Sequence, residues 1–207
     1  MVFEGAMSMH GKEPKDENFG FFTSRLYKVF SNTFPSMKSF YSFILSDIAN
    51  YKFSSMLDIG CGPGILDVKI AQMFPKAKIC GIDPSKDMIK QADSLSKRMD
   101  IKNLEFAIGK NTEIPFDLQF DIVITTLSFH HWAVKRKALE YIAKRIAPRG
   151  KMAIYEFLKP EKGMGISGSH SLSVREANTY SNIPGLEPAK VSTEKGFIKV
   201  ILEKSSK

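Results

Sequence analysis

Residues 56–64, Met-Leu-Asp-Ile-Gly-Cys-Gly-Pro-Gly, set three glycines at alternate positions, Gly60, Gly62 and Gly64, directly after a short apolar run. Glycine has no β-carbon, so the backbone there can turn sharply and come close to a bound molecule. A dinucleotide-binding turn of the form G-x-G-x-x-G would need glycine at position 65, which is Ile65, so hydride transfer is the weaker reading. Asp83 follows Gly60 by 23 residues, at the end of the next apolar run, where a carboxylate can accept both hydrogen bonds of a ribose diol. His130 and His131 stand together beside Trp132. A histidine near neutral pKa is the usual general base, and His131 is the candidate; a structural pair, one ring packed and the other solvated, is the competing reading. Glu156 ends a later apolar run and suits either the same edge or a structural ion pair or cap. Cys61 and Cys80 read most simply as packing residues, His10 and His170 stand alone, and no metal-ligand spacing is present.

The elements that must position these residues alternate along the chain. Met37, Phe40, Tyr41, Ile44, Leu45 and Ile48 repeat at helical spacing ahead of a strand at Ser55 to Ile59. The glycines follow it, then a helix marked by Leu66, Ile70 and Met73 and stopped by Pro75. Lys78 to Ile82 reads as the second strand, Pro84 as the opening of a helix carrying Met88, Ala92 and Leu95, and Leu104 to Ile108 as the third strand. Phe120 to Thr125 is almost wholly apolar, as suits a strand covered on both faces. Leu139, Ile142 and Ile146 predict another helix, ended by Pro148-Arg149-Gly150 before a fifth strand, Lys151 to Phe157. A glycine-rich loop at Gly163 to Gly168, a short helix over Val174 to Thr179, and a hairpin of Lys190 to Thr193 with Phe197 to Leu202 complete the chain. The class is α/β: a doubly wound, mostly parallel seven-stranded sheet with a C-terminal β-hairpin, whose ligands lie at the carboxyl ends of the central strands.

With these residues in place, the chain resembles the class I S-adenosylmethionine-dependent methyltransferases over roughly residues 37 to 205. Leu57 to Gly64 looks like the family's cofactor loop, Asp83 like its ribose-binding acid, and Phe120 to Ile124 like its fourth strand. Ala147 to Lys151 and Ala153 to Pro160 are similar to the ubiquinone and menaquinone biosynthesis methyltransferases. The resemblance implies a Rossmann-like methyltransferase fold and S-adenosylmethionine as cofactor. It implies that Gly60, Gly62 and Gly64 approach the methionine part, that Asp58 helps hold its amino group, that Asp83 binds the ribose, that Thr125 lies beside the cofactor, and that Cys61 and Pro84 are among the cofactor-binding residues. Where the family usually reads Gly-Asp-Ala before Leu-Pro-Phe, this chain reads Gly109-Lys110-Asn111 before Ile114-Pro115-Phe116. Lys110 thus replaces the adenine-binding acid, and Asn111 can take over, because an amide offers both a donor and an acceptor. Only about thirty residues separate Pro160 from the hairpin, against a substantial substrate-covering segment in the quinone enzymes, so a quinone substrate is not implied. Methyl transfer from a sulfonium to a ready nucleophile needs chiefly alignment, so a catalytic base is required only where the acceptor must lose a proton.

A chain of 207 residues fits one domain with a buried core, and 43% hydrophobic with 25% charged residues is a globular balance. The charged and polar first twenty residues lack the apolar core of a secretory signal, every hydrophobic run is interrupted well short of a membrane span, and two cysteines suit a reducing compartment. The expected location is the cytoplasm, with no membrane partner. The net charge of +8 keeps a nucleic acid partner open, against a plain scatter of lysines over helix faces with clusters at Lys135 to Lys137 and at Lys144 and Arg145. The leading partner is a small-molecule acceptor; the alternatives are an RNA or protein substrate, or a cofactor-binding subunit without catalysis. Residues 1 to 36 carry Phe19, Phe21, Phe22, Tyr27, Phe30 and Phe34, an aromatic load that a solvated tail would not expose, and are expected to form a lid on a methyltransferase domain of residues 37–207.

Overall fold

The computed structural model describes residues 35–159 and 171–206. Apart from Pro35 and Ser36, the expected N-terminal lid lies outside the described residues, as do the loop at Gly163 to Gly168, His10 and His170. The chain divides into two compact units, Met1–Ser42 and Phe43–Lys207. In the first, the described part is the opening of helix α1 (Pro35–Ile48); the second carries the sheet.

Strands β1 (Ser55–Ile59), β2 (Lys78–Asp83), β3 (Leu104–Ile108), β4 (Phe120–Thr126) and β5 (Ile146–Leu158) run parallel. Between them come α2 (Ile65–Met73), α3 (Lys86–Arg98) and α4 (Lys135–Ala143). A short strand β6 (Ser171–Leu172) and helix α5 (Val174–Asn178) precede an antiparallel hairpin, β7 (Lys190–Glu194) and β8 (Phe197–Glu203), whose second strand pairs with β5. The order is β3-β2-β1-β4-β5-β8-β7. It reverses direction between β1 and β4, which opens a crevice at their carboxyl ends. These are the seven expected strands; β6 pairs in parallel with the end of β5, off this path, and makes the sheet eight-stranded. Two residues are too few to show an alternating pattern in sequence.

Two boundaries differ from expectation. Pro84 does not open α3: Ser85 is the N-cap, its hydroxyl accepting from Met88 N–H at 3.3 Å, and the helix begins at Lys86. Ile146, at helical spacing from Leu139 and Ile142, belongs instead to β5, where it pairs with Phe120. The register then shifts between Phe120 and Ile122. Within this irregularity Arg149 has φ 65°, and a β-carbon on Gly150 would sit 2.8 Å from the Asp121 carbonyl oxygen, so the bulge needs its glycine.

Leu57, Cys80, Val123, Met152, Ile154, Ile198 and Val200 point to one face and join Leu139, Ile142 and Ala177 of α4 and α5 in a single buried cluster. Their alternates, among them Asp58, Gly81 and Phe106, share a row on the other face, toward α2 and α3. Among the described residues no helix is long and apolar enough to cross a membrane.

Within the second unit Asp47 ties the end of α1 to the sheet. One oxygen accepts from the hydroxyls of Tyr51 (2.7 Å) and Tyr155 (2.8 Å), and the other from Lys199 Nζ. Burial works against its charge, but the hydrogen bonds from Lys199 and the two tyrosines outweigh it and hold the carboxyl below its ordinary range. Because the folded form favours the carboxylate, its contribution is complete at neutral pH and fades only as acid protonates it. Asp47→Ala should therefore cost about 2–4 kcal/mol in urea unfolding at pH 7, since it leaves buried Tyr155 without its acceptor, and the gap should narrow below the usual carboxylate range.

Candidate cofactor site at the carboxyl edge of the sheet

The glycine loop is strapped to β2: the N–H groups of Gly60 and Cys61 both donate to the Ile82 carbonyl, at 2.8 and 3.0 Å. Gly64 N–H donates to the Cys61 carbonyl at 3.1 Å, closing the turn into α2. All three glycines hold positive φ, 83° at Gly60, 54° at Gly62 and 73° at Gly64. Their surroundings differ. A β-carbon on Gly60 would lie 2.1 Å from Ser128 Oγ, and one on Gly64 would lie 2.6 Å from the Phe106 ring and 2.9 Å from Ala92 Cβ. A β-carbon on Gly62 would meet nothing within 4 Å among the described residues. Protein packing thus requires glycine at positions 60 and 64, whereas position 62 has its open side toward space a ligand can fill. Gly60→Ala is expected to cost about 2 kcal/mol or more in unfolding, from the collision and the left-handed backbone together. A loss below about 0.5 kcal/mol would contradict the contact with Ser128.

Asp83 stands where the sequence puts it, and it also supports the loop. Its Oδ2 accepts from Gly62 N–H at 3.1 Å and its Oδ1 from Ser85 N–H at 2.8 Å. A carboxylate oxygen offers two acceptor positions, so both can still receive a ribose hydroxyl. Exposed Pro84 lies between Asp83 and Ser85 in the chain. Asp58, 1% exposed, lies beneath the loop with Oδ1 unpartnered. Burial, then the charges of Asp67 and Asp83, push its carboxyl well above the ordinary range. Burial with the same carboxylates raises the Cys61 thiol, so Cys61 is a packed, unreactive thiol here. Buried Thr125 donates its hydroxyl to the Ile59 carbonyl at 2.9 Å, pinning β4 to the end of β1.

Lys110 and Asn111 follow Gly109, whose N–H donates to the Asp83 carbonyl at 3.2 Å, so this turn borders Asp83. Lys110 exchanges backbone hydrogen bonds with Glu113, and its exposed ammonium lies 3.2 Å from the Glu113 carboxylate. Asn111 is half-buried.

The histidine pair forms a connected group. Glu156, fully buried at the end of β5, accepts from His130 N–H at 3.2 Å, and its oxygens lie 3.0 and 3.1 Å from His130 Nδ1. His130 Nε2 lies 2.9 Å from His131 Nε2. With both rings neutral, the tautomers that satisfy these contacts put a proton on His130 Nδ1, toward the carboxylate, and one on His131 Nε2, toward His130. His131 is exposed, and His130 has a side chain 7% exposed. The Ser128 that crowds Gly60 lies two residues before His130.

The residues present fit the cofactor the resemblance implies. Among the described residues, the buried side-chain polar atoms without a partner are Asp58 Oδ1, both oxygens of Asp67, Thr126 Oγ1 and Arg145 Nε. Asp58 and Thr126 sit toward the carboxyl ends of β1 and β4 and Asp67 in the first turn of α2, and Asp58 and Asp67 act on each other and on Cys61 of the loop. Acceptors suited to an ammonium therefore lie near the loop that carries the open Gly62. Asp67, Ser128 and Phe106 join the candidate site, and nothing in the sequence distinguishes them. Asp67 reads there as an ordinary acid in a helical first turn, and the other two act through contacts with residues far away in the chain.

A family profile described as a methyltransferase domain matches residues 51–190. The chain is similar to the uncharacterized methyltransferase YcgJ of Bacillus subtilis, 30% identical over 108 residues, which are 51% of this chain and 42% of that protein. An uncharacterized methyltransferase of Staphylococcus carnosus is 30% identical over 118 residues, 56% of this chain and 53% of its own. The chain spans about half the length of the curated relatives it matches. Among solved structures, a SAM-dependent methyltransferase from Aquifex aeolicus superposes with a TM-score of 0.72 at 22% identity, covering 88% of this chain and 98% of that one, which is a likeness of fold.

Proposed function

This chain belongs to the methyltransferase domain family, and from that premise we propose that it transfers the methyl group of S-adenosylmethionine to a small acceptor molecule. The open side of Gly62, whose N–H Asp83 holds in a loop that the unpartnered acids Asp58 and Asp67 also reach electrostatically, is the observation that carries the reading. Gly60, Cys61, Gly62 and Gly64 cradle the methionine part, and Asp58 faces its amino group. Asp83 and Pro84 hold the ribose, the Lys110–Asn111 turn borders the adenine, and Thr125 fixes the strand end beside it. The bound cofactor supplies an electrophilic methyl on a sulfonium, and alignment of the acceptor with it accounts for most of the rate.

For acceptors that must lose a proton, His131 is the base. A proton arriving at Nδ1 of His131 allows its Nε2 proton to pass to His130, so the positive charge comes to rest against the Glu156 carboxylate. The motifs shared with the ubiquinone and menaquinone enzymes support a small molecule over a macromolecule. The free thiols of Cys61 and Cys80 suit a cytoplasmic site of action.

The test is titration calorimetry with S-adenosylhomocysteine, followed by detection of its release from S-adenosylmethionine across hydroxylated, amine and carboxylate acceptors. Binding together with acceptor-dependent release supports the reading. A folded protein that binds neither cofactor form rejects it.

A further inference from the structure

Asp67 lies in the first turn of α2 with 0% exposure, near enough to the glycine loop to act on the Cys61 thiol, and apart from its own backbone N–H no group among the described residues hydrogen-bonds its carboxylate. Asp58, on β1, is 1% exposed with Oδ1 unpartnered. Its register partner on β2 is Gly81, over which the Phe106 ring and Cys61 Cβ pack, so protein closes that side of the pair. The titratable groups acting on the pair are Asp83 from β2, Cys61 from the loop and Cys80 from β2, all acidic. Among the described residues no lysine or arginine forms an ion pair with either carboxylate. Two anions in so dry a space are unfavourable unless a cation joins them or a proton neutralises one.

We propose that Asp67 is a second anionic partner, with Asp58, for the cationic methionine end of the cofactor, and that the pair holds one shared proton until that cation binds. The inference rests on the reading of the loop as the S-adenosylmethionine site. On binding, the proton passes to solvent and the ammonium of the ligand takes its place as counter-charge. Burial, which raises the Asp67 carboxyl to about 7, brings this exchange into the neutral range. Protons and ligand then compete for the pair, so affinity should rise with pH between about 5 and 7, by up to tenfold per unit.

Calorimetry with S-adenosylhomocysteine, which keeps the ammonium, reads the exchange directly when repeated in two buffers of different ionisation enthalpy. The expected wild-type result is release of up to one proton per ligand near neutral pH. Asp67→Asn, equal in shape, should lose most of that release and of the pH slope, and should bind roughly tenfold more weakly. Its unliganded form should melt at a higher temperature than wild type, because a buried charge is relieved; a structural role for Asp67 predicts the opposite sign. Tight wild-type binding with no proton release, or undiminished release in Asp67→Asn, overturns the proposal. Absence of any wild-type binding overturns instead the reading of the loop on which it rests, and the proposal with it.

Discussion

Valine at position 62 is expected to weaken S-adenosylhomocysteine binding by at least a hundredfold while the domain remains folded. Gly62 is the loop position whose missing β-carbon faces no atom of the described residues within 4 Å, so the added side chain enters the proposed ligand space rather than the core. A hundredfold loss corresponds to about 2.7 kcal/mol, which a misfitting branched side chain in a cradle readily supplies. The fold does not escape entirely, because a β-branched residue at φ 54° is strained. Gly62→Ala is therefore the companion variant: it should retain cooperative unfolding, lose about 1 kcal/mol of stability, and still bind weakly. Asp83→Ala should also abolish binding, but less cleanly. That carboxylate receives Gly62 N–H and Ser85 N–H, so its removal loosens the loop along with the ribose contact. Calorimetry with a parallel urea titration separates affinity from stability. A folded Gly62→Val protein with wild-type affinity would sink the site assignment.

The ease of reading the loop, against the difficulty of reading its surroundings, has a physical cause. β1 and β3 fall at the predicted residues because parallel strands covered on both faces leave apolar runs punctuated by glycine, proline and helical spacing. Gly60 to Gly64 and Asp83 are legible by type and spacing, since a close backbone turn and a strand-end acid are local requirements. Ile146 misleads because three apolar residues at helical spacing are equally compatible with a helix that stops early and a strand that starts there, and its pairing with Phe120 decides the matter. Asp67 is hidden for another reason. An acid in the first turn of a helix is ordinary, favoured by the helix dipole, and only the tertiary packing that buries it completely makes it unusual.

Glu156 and His130 are 26 residues apart and meet because β4 and β5 pair in parallel, with Thr126 opposite Tyr155. That register sets the largest expected effect on turnover. With an acceptor that loses a proton on methylation, His131→Ala should lower kcat by about 10²- to 10⁴-fold while S-adenosylhomocysteine affinity stays within about threefold. Glu156→Gln should lower kcat by about tenfold or more, since an amide keeps much of the hydrogen bonding to His130 but offers no charge to balance a protonated ring. A purely structural pair predicts a different pattern: both substitutions would lower stability and affinity together and leave kcat per folded molecule unchanged. Chemical rescue distinguishes the cases further. His131 is exposed, so imidazole added to the His131→Ala protein can reach the vacated position and should restore part of the lost rate in proportion to its concentration. Rescue should fail in Glu156→Gln, where no ring is missing. If kcat of His131→Ala remains within threefold of wild type for a proton-losing acceptor, the pair does not act as the base, and alignment at the cofactor edge carries the reaction without it.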